Sequence, residues 1–155
     1  MKKMMILAAA VMALATISCE KYDDGRPQQT VRQSFNEACP GAFDLEWEWE
    51  GTYWEVSYET GTRPNGTEHE AWFDKDGNWI RTKTEVLISA VPQEIKNALA
   101  ADPTYSGATF SDNDADYIKT PTGNSYRFDL NLDGREVKVE VSEDGTVSPA
   151  SFGWN

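Results

Sequence analysis

The stretch "EAWFDKDGNWIRTKTE", Glu70 to Glu85, decides the fold, because it reads either as a calcium loop or as a tight turn between two strands. An EF-hand loop needs oxygen-bearing groups at its positions 1, 3 and 5, glycine at 6 and glutamate at 12. A register starting at Asp74 supplies Asp76, Asn78 and Glu85, but Gly77 then falls at position 4. A register that places Gly77 at position 6 puts Trp72 first and Lys83 last. Both registers fail, and the flanks are strand-like where an EF-hand requires helices. Asp-Gly between β runs is a hairpin signal, since glycine tolerates the positive φ of the turn. The expectation is a hairpin around Asp76-Gly77, with no metal.

Upstream, "DLEWEWEGTYWEVSYE" alternates with period two. Leu45, Trp47 and Trp49 share one side, and Glu46, Glu48 and Glu50 the other. After a turn at Gly51, Trp54, Val56 and Tyr58 continue as a second strand, and "TEHEAWFD" and "NWIRTKTEV" supply two more. Before them "TVRQSFNEACPG" reads as a short helix capped by Thr30, with Val31, Phe35 and Ala38 on one face and Pro40-Gly41 as its stop. Downstream the order returns. "VPQEIKNALAADP" is a helix with Pro92 at its start and Pro103 beyond its end. Strand-like runs "SGATFSD", "ADYIKT", "NSYRFDLNL", "REVKVEV" and "TVSPA" follow. Trp54, Val56 and Tyr58 align with Tyr126, Phe128 and Leu130, and Asp76-Gly77 aligns with Asp144-Gly145. The sequence therefore predicts an α+β chain in which a helix and a four-stranded antiparallel meander occur twice in tandem, over residues 30–90 and 91–155.

The N-terminus places the chain. Lys2 and Lys3 precede an apolar run, Met4 to Ile17, too short for the roughly 20 residues of a spanning helix. This pattern reads as a secretory signal over residues 1–18. "TISC" resembles a lipoprotein cleavage box, with Thr16 in place of the usual leucine, so Cys19 is the expected lipidation site and residues 19–29 a tether. An ordinary cleaved signal, with Cys19 incidental, is the alternative. The expected location is the cell envelope, on an outer-membrane lipoprotein facing the periplasm or the surface. The chain has 14 basic and 26 acidic residues, a net charge of -12. Such a charge disfavours nucleic acid and anionic headgroups, leaving the lipid anchor as the membrane contact.

Two cysteines, Cys19 and Cys39, exclude a disulfide framework and a four-cysteine metal site. A nucleophilic Cys39 would need His69, the single histidine. Asp112, Asp114 and Asp116 alternate in "SDNDADY" and could hold a cation weakly, although such a run is more often a solvated strand connection. Glu46, Glu48 and Glu50 could supply a carboxylate pair, but alternation with tryptophan is the mark of a strand with one wet face. With a single histidine there is no metal-ligand pair and no Ser-His-Asp set. No catalytic residue, cofactor or metal is expected. Six tryptophans are many for this length, and large aromatics are enriched at binding surfaces. Trp72 lies opposite Ala71 and Phe73 in its strand, which suggests an exposed patch with Tyr53. Trp54 and Trp79 complete the candidate binding set.

The order of helix, "W-x-W", aromatic strand, "FD-x-DG-x-W" and "VP" helix resembles the PepSY-like, or β-lactamase-inhibitor-like, family of Bacteroidota. The carrying segments are "VRQSFNEACPGAFDLEWEWEGTYWEVSY", "HEAWFDKDGNWIRTKTEV" and "VPQEIKNAL", and the resemblance covers about residues 28–148. The second half departs from it in lacking a tryptophan at the place of Trp79, where Val147 falls. The resemblance implies helices packed on one face of an antiparallel sheet, the other face open, and it transfers no catalytic residues. The functional expectation is a non-enzymatic module that binds a protein or peptide through the open face, inhibition of a secreted enzyme being one form. An envelope structural or assembly component, or a weak cation- or glycan-binding lipoprotein, are the alternatives.

Overall fold

The computed structural model describes residues 20–22 and 25–150. The expected signal segment, the expected lipidation site Cys19 and Trp154 lie outside the described residues. In chain order the elements are β1 (Lys21–Tyr22), α1 (Gln29–Ala38), β2 (Phe43–Trp49), β3 (Tyr53–Thr60), β4 (Thr67–Asp74) and β5 (Trp79–Leu87). They continue with α2 (Gln93–Ala101), β6 (Thr109–Phe110), β7 (Asp114–Thr120), β8 (Gly123–Leu132), β9 (Arg135–Ser142) and β10 (Val147–Pro149). The strands form one sheet in the order β1-β2-β3-β4-β5-β7-β8-β9-β10, with β6 added beside β8. The pairings are antiparallel except β1 on β2, which is parallel. The described residues are thus mainly β, with two α-helices on an open sheet.

Period-two alternation sorts the side chains. Leu45 and Trp47 of β2, Trp54, Val56 and Tyr58 of β3, and Ala71 and Phe73 of β4 are buried under Val31 and Phe35 of α1. Phe35 is the hub, meeting Trp47, Tyr58 and Phe73 edge-on at 5.4, 5.0 and 6.2 Å between ring centroids. A second cluster sets Val91, Ile95 and Leu99, on and just before α2, against Ala115, Phe128, Leu130, Val139 and Val141 of β7 to β9. Each helix covers the strands that follow it. The sheet runs on between the two clusters through the β5–β7 pairing, Thr82 opposite Lys119 to Leu87 opposite Asp114.

The stretch that opened the sequence analysis is the β4–β5 hairpin. The amide of Gly77 donates to the Asp74 carbonyl at 3.1 Å, and that of Asp74 to the Asn78 carbonyl at 3.0 Å. The Asp74 carboxylate accepts from the amides of Asp76 and Asn78 and from the Asn78 side chain, all at 2.8–2.9 Å. Its oxygens are thus engaged by the turn itself, which holds its pKa below the ordinary carboxylate value, the Asn78 bond first. Gly77 has φ +88°, and a Cβ there would approach the Thr30 carbonyl of α1 to 3.1 Å. The β9–β10 turn makes the same backbone bonds through Ser142, Gly145 and Thr146. There Gly145 faces Ala98 of α2.

Two local expectations change. Helix α1 begins at Gln29 and Thr30 sits inside it, with Gln28 at the cap making no side-chain capping bond. The Gln28 amide oxygen is used elsewhere, accepting from the Trp54 indole at 3.1 Å. The tether is also shorter than its polar composition suggests. Lys21 and Tyr22 pair with Glu46 and Trp47, and Tyr22 packs against the α1 cluster.

Candidate functional site

The face of the sheet turned away from the helices is charged. Strand register fixes its rows. Glu46, Ser57, Glu70 and Lys83 lie abreast across β2 to β5, and Glu48, Glu55, Trp72 and Arg81 form the next row. Glu59 faces Glu68, and Glu85 faces Asp116 on β7. Three directly opposed pairs, Glu48–Glu55, Glu59–Glu68 and Glu85–Asp116, therefore carry like charge. Such pairs destabilise a sheet, each by a fraction of a kcal/mol, roughly 0.2–1. Folding does not call for that arrangement.

The first of these rows, together with Glu59, Glu68 and Glu85, lines a groove of about 360 Å³ that Asp44 also borders. Lys21 and Lys83 are the cations in its lining, and Asp44 is paired with Arg63 at 2.7 Å. Lys83 is held by Glu70 at 2.7 Å, and Lys21 stands 3.8 Å from Glu46. The crowding shifts the carboxylates. Glu85 is raised by the neighbouring Asp114 first and then by burial. Burial leads for Glu55, reinforced by Glu70, and also for Asp116, where Lys83 and Arg127 oppose it.

Trp72 is on this face, as the alternation predicts, but the exposed patch expected of it is not there: it is 1% exposed. Arg81 lies over the indole with its guanidinium carbon 3.8 Å from the ring centroid, and the Glu55 carboxylate accepts a hydrogen bond from the Trp72 side chain. The cover comes from an irregularity in the β4–β5 register. Phe73 pairs with Trp79, but Trp72 pairs with Arg81, so one residue, Ile80, is extra on β5. An even ladder would have put Ile80 opposite Trp72 and sent Arg81 to the helix side.

The other candidates divide. Tyr53 is half-buried on the charged face, opposite Asp74. Trp54 is buried on the helix side, stacked at a tilt on Trp49 at 5.1 Å. Trp79 is half-buried and packs against the α1 cluster, its indole donating to Thr82 at 2.9 Å. The structure therefore brings Tyr53 and Trp72 together and removes Trp54 and Trp79 to the opposite side. Glu59, Glu68 and Glu70 were not candidates from the sequence, and Lys83 and Glu85 entered there only as positions of a rejected calcium loop. Their shared strand phase with Glu46 and Glu48 is the signal that could have found them, once the strands are paired.

Cys39 and His69 approach the same phenol rather than each other. The Cys39 thiol donates to Tyr58 Oη at 3.3 Å, and the His69 ring stacks on Tyr58 at 5.0 Å. Both imidazole nitrogens are engaged, Nε2 with Thr60 Oγ1 at 2.8 Å and Nδ1 with Thr84 Oγ1 at 2.7 Å. No general base faces the thiol here. Burial, and then the charge of Lys119, hold the His69 pKa below its ordinary 6.5. Folding thus favours the neutral ring, and its contribution is fully present above 6.5 and lost as pH falls through the lowered folded value. The expected NMR titration of His69 has a midpoint below 6.5 in the folded protein, and a midpoint at or above 6.5 contradicts this packing. Among the described residues, no group of three or more His, Cys, Asp or Glu is arranged to hold a metal ion.

The family described as "Putative beta-lactamase-inhibitor-like, PepSY-like" matches residues 52–148. Among solved structures, the chain is similar to a BLIP-like protein from Bacteroides fragilis, with 24% identity and a TM-score of 0.68 over 80% of this chain and 84% of that one. It is similar to a protein from Bacteroides eggerthii described as periplasmic, at 18% identity and a TM-score of 0.65, covering 79% of this chain and 86% of that one. A DUF2874 family protein from Bacteroides ovatus aligns at 17% identity and a TM-score of 0.67, over 79% and 85% of the two chains. At these identities the likeness is one of fold. No curated protein matches the chain.

Proposed function

Because the chain belongs to the PepSY-like, β-lactamase-inhibitor-like family, we propose that it is a non-enzymatic extracytoplasmic module whose open sheet face docks a basic protein or peptide. The observation that carries this reading is the row of like-charged pairs on that face. Charges placed where they weaken the sheet are explained by a partner that neutralises them. Clustered carboxylates speed and steer a basic partner's approach more than they add raw affinity. Tyr53 supplies an aromatic surface beside them, and Trp72 under Arg81 supplies a rigid floor. The family is described by inhibition rather than by a reaction, which favours a binding role over catalysis. Inhibition of a secreted enzyme is one form of it.

The location is supported by the N-terminal signal pattern and by the periplasmic description of the Bacteroides eggerthii neighbour. Attachment through a lipid on Cys19 belongs to the same reading. So does the view of residues 30–90 and 91–155 as one unit used twice. It is supported by the matching turn bonds at Asp74 and Ser142 and by the seating of Gly77 and Gly145 on their own helices.

The test is capture from an envelope extract with the full chain as bait, at low and moderate salt, beside Glu68→Lys/Glu85→Lys. Both residues are exposed. The expected result is a basic protein held at low salt, released as salt rises, and reduced at least tenfold by the double reversal. Capture that is indifferent to salt and to the reversal would remove the acidic face from the site.

A further inference from the structure

A second concavity lies on the helix side of the sheet, where α1 ends and before the ground covered by α2 begins. Its volume is about 500 Å³, within the roughly 300–1,000 Å³ of small-molecule sites. The end of α1 at Ala38 to Pro40 forms one wall, and Tyr58, His69, Trp79, Thr84 and Lys119 line the rest. The lining is mainly apolar, and its polar atoms are largely spent on one another. His69 is pinned between Thr60 and Thr84, the Trp79 indole donates to Thr82, and the Cys39 thiol donates to Tyr58. Those bonds fix the ring positions before any ligand arrives.

The charge of the cleft runs against that of the chain. In a protein of net charge -12, the lining contains no aspartate or glutamate, and its one formal charge is the cation Lys119. Among the described residues, Lys119 has no carboxylate at ion-pair distance. Its ammonium lies 5.5 Å from the centroid of the Tyr117 ring. After burial, the charge of Lys119 is the second cause that lowers the His69 pKa. Aromatic walls with one cation and no anion are complementary to a ligand with an apolar body and one negative charge.

We propose that this cleft binds a small organic carboxylate with an aromatic or aliphatic body, the body against Trp79 and Tyr58 and the carboxylate on Lys119. The cleft opens on the helix side of the sheet and adjoins the acidic groove at Tyr58 and His69, which line both. A ligand here would touch β3, β4, β5 and β7 together, between the two hydrophobic clusters.

The experiment follows 15N-labelled full chain by NMR while naphthalene-2-carboxylate is added, with the neutral 2-naphthylmethanol as comparison. The expected result is a saturable shift of the Trp79 indole N–H and of the His69 ring, at least fivefold weaker for the alcohol. Lys119→Gln, at an exposed position, should weaken the carboxylate at least fivefold and leave the alcohol unchanged. Shifts centred elsewhere, no saturation at millimolar concentration, or equal affinity of wild type and Lys119→Gln would each overturn the proposal.

Discussion

Phe35→Ala is expected to lower the unfolding free energy by about 3–5 kcal/mol, the usual range for removing a buried phenylalanine. Phe35 is 1% exposed and makes three edge-on aromatic contacts, each worth roughly 0.5–1.5 kcal/mol beyond its buried area. Alanine would empty the space between α1 and three strands at once. Val31 is the one other buried residue of the helix. The helix is ten residues long and its cap makes no side-chain bond, and isolated helices shorter than about 12–15 residues are marginal in water. A domain of this size has about 5–15 kcal/mol in total, so the variant should lie near the edge of folding. Urea unfolding should show a lower midpoint, with Phe35→Leu falling between variant and wild type. A loss below about 1 kcal/mol, outside the range for such a truncation, would mean that Phe35 is not the post on which the first cluster stands.

Trp72→Ala should be as damaging, by about 3–5 kcal/mol, although the residue lies on the face open to partners. The indole is buried under Arg81 and bonded to Glu55. Truncation therefore removes a cation–π contact as well as volume and leaves a buried guanidinium without its platform. Trp72→Phe keeps a ring face and loses the N–H donor, so its expected loss is smaller, about 1–2 kcal/mol. Denaturant midpoints of the two variants check the order. A Trp72→Ala protein as stable as wild type would show that the Arg81 stack contributes nothing. Loss of binding in Trp72→Ala would report unfolding as readily as a lost contact, which is why the docking reading is better tested at exposed carboxylates.

The residues that misled and those that did not differ in one respect, namely whether the deciding partner is near in sequence. Asp76-Gly77 could be read as a turn because glycine, the aspartate and the flanking alternation all lie within a few residues. Helix ends at Pro40-Gly41 and Pro103 were legible for the same reason. The wet side of β2 was legible from Glu46, Glu48 and Glu50 alone. Trp72 was not, because its cover depends on one extra residue in β5, and a bulge leaves no mark in hydrophobic periodicity. The pairing of β1 also escaped, since two residues of polar sequence carry no strand signal. The acidic groove escaped for a third reason. Its carboxylates come from β2 to β5, and only the register places Glu59 against Glu68 and Glu85 against Asp116.

Those opposed pairs make the central claim directly measurable. Glu68→Lys/Glu85→Lys and a control, Glu37→Lys/Glu94→Lys on the exposed surfaces of the helices, change the net charge equally. Reversal on the sheet replaces two repulsive pairs by attractive ones, so stability should hold or rise. The measurement is partner capture by each variant, with its thermal midpoint determined alongside. The account predicts that the sheet variant is at least as stable as wild type and has lost capture, while the helix variant still captures. Equal loss from both variants, or full capture by the sheet variant, would contradict a docking site on the open face.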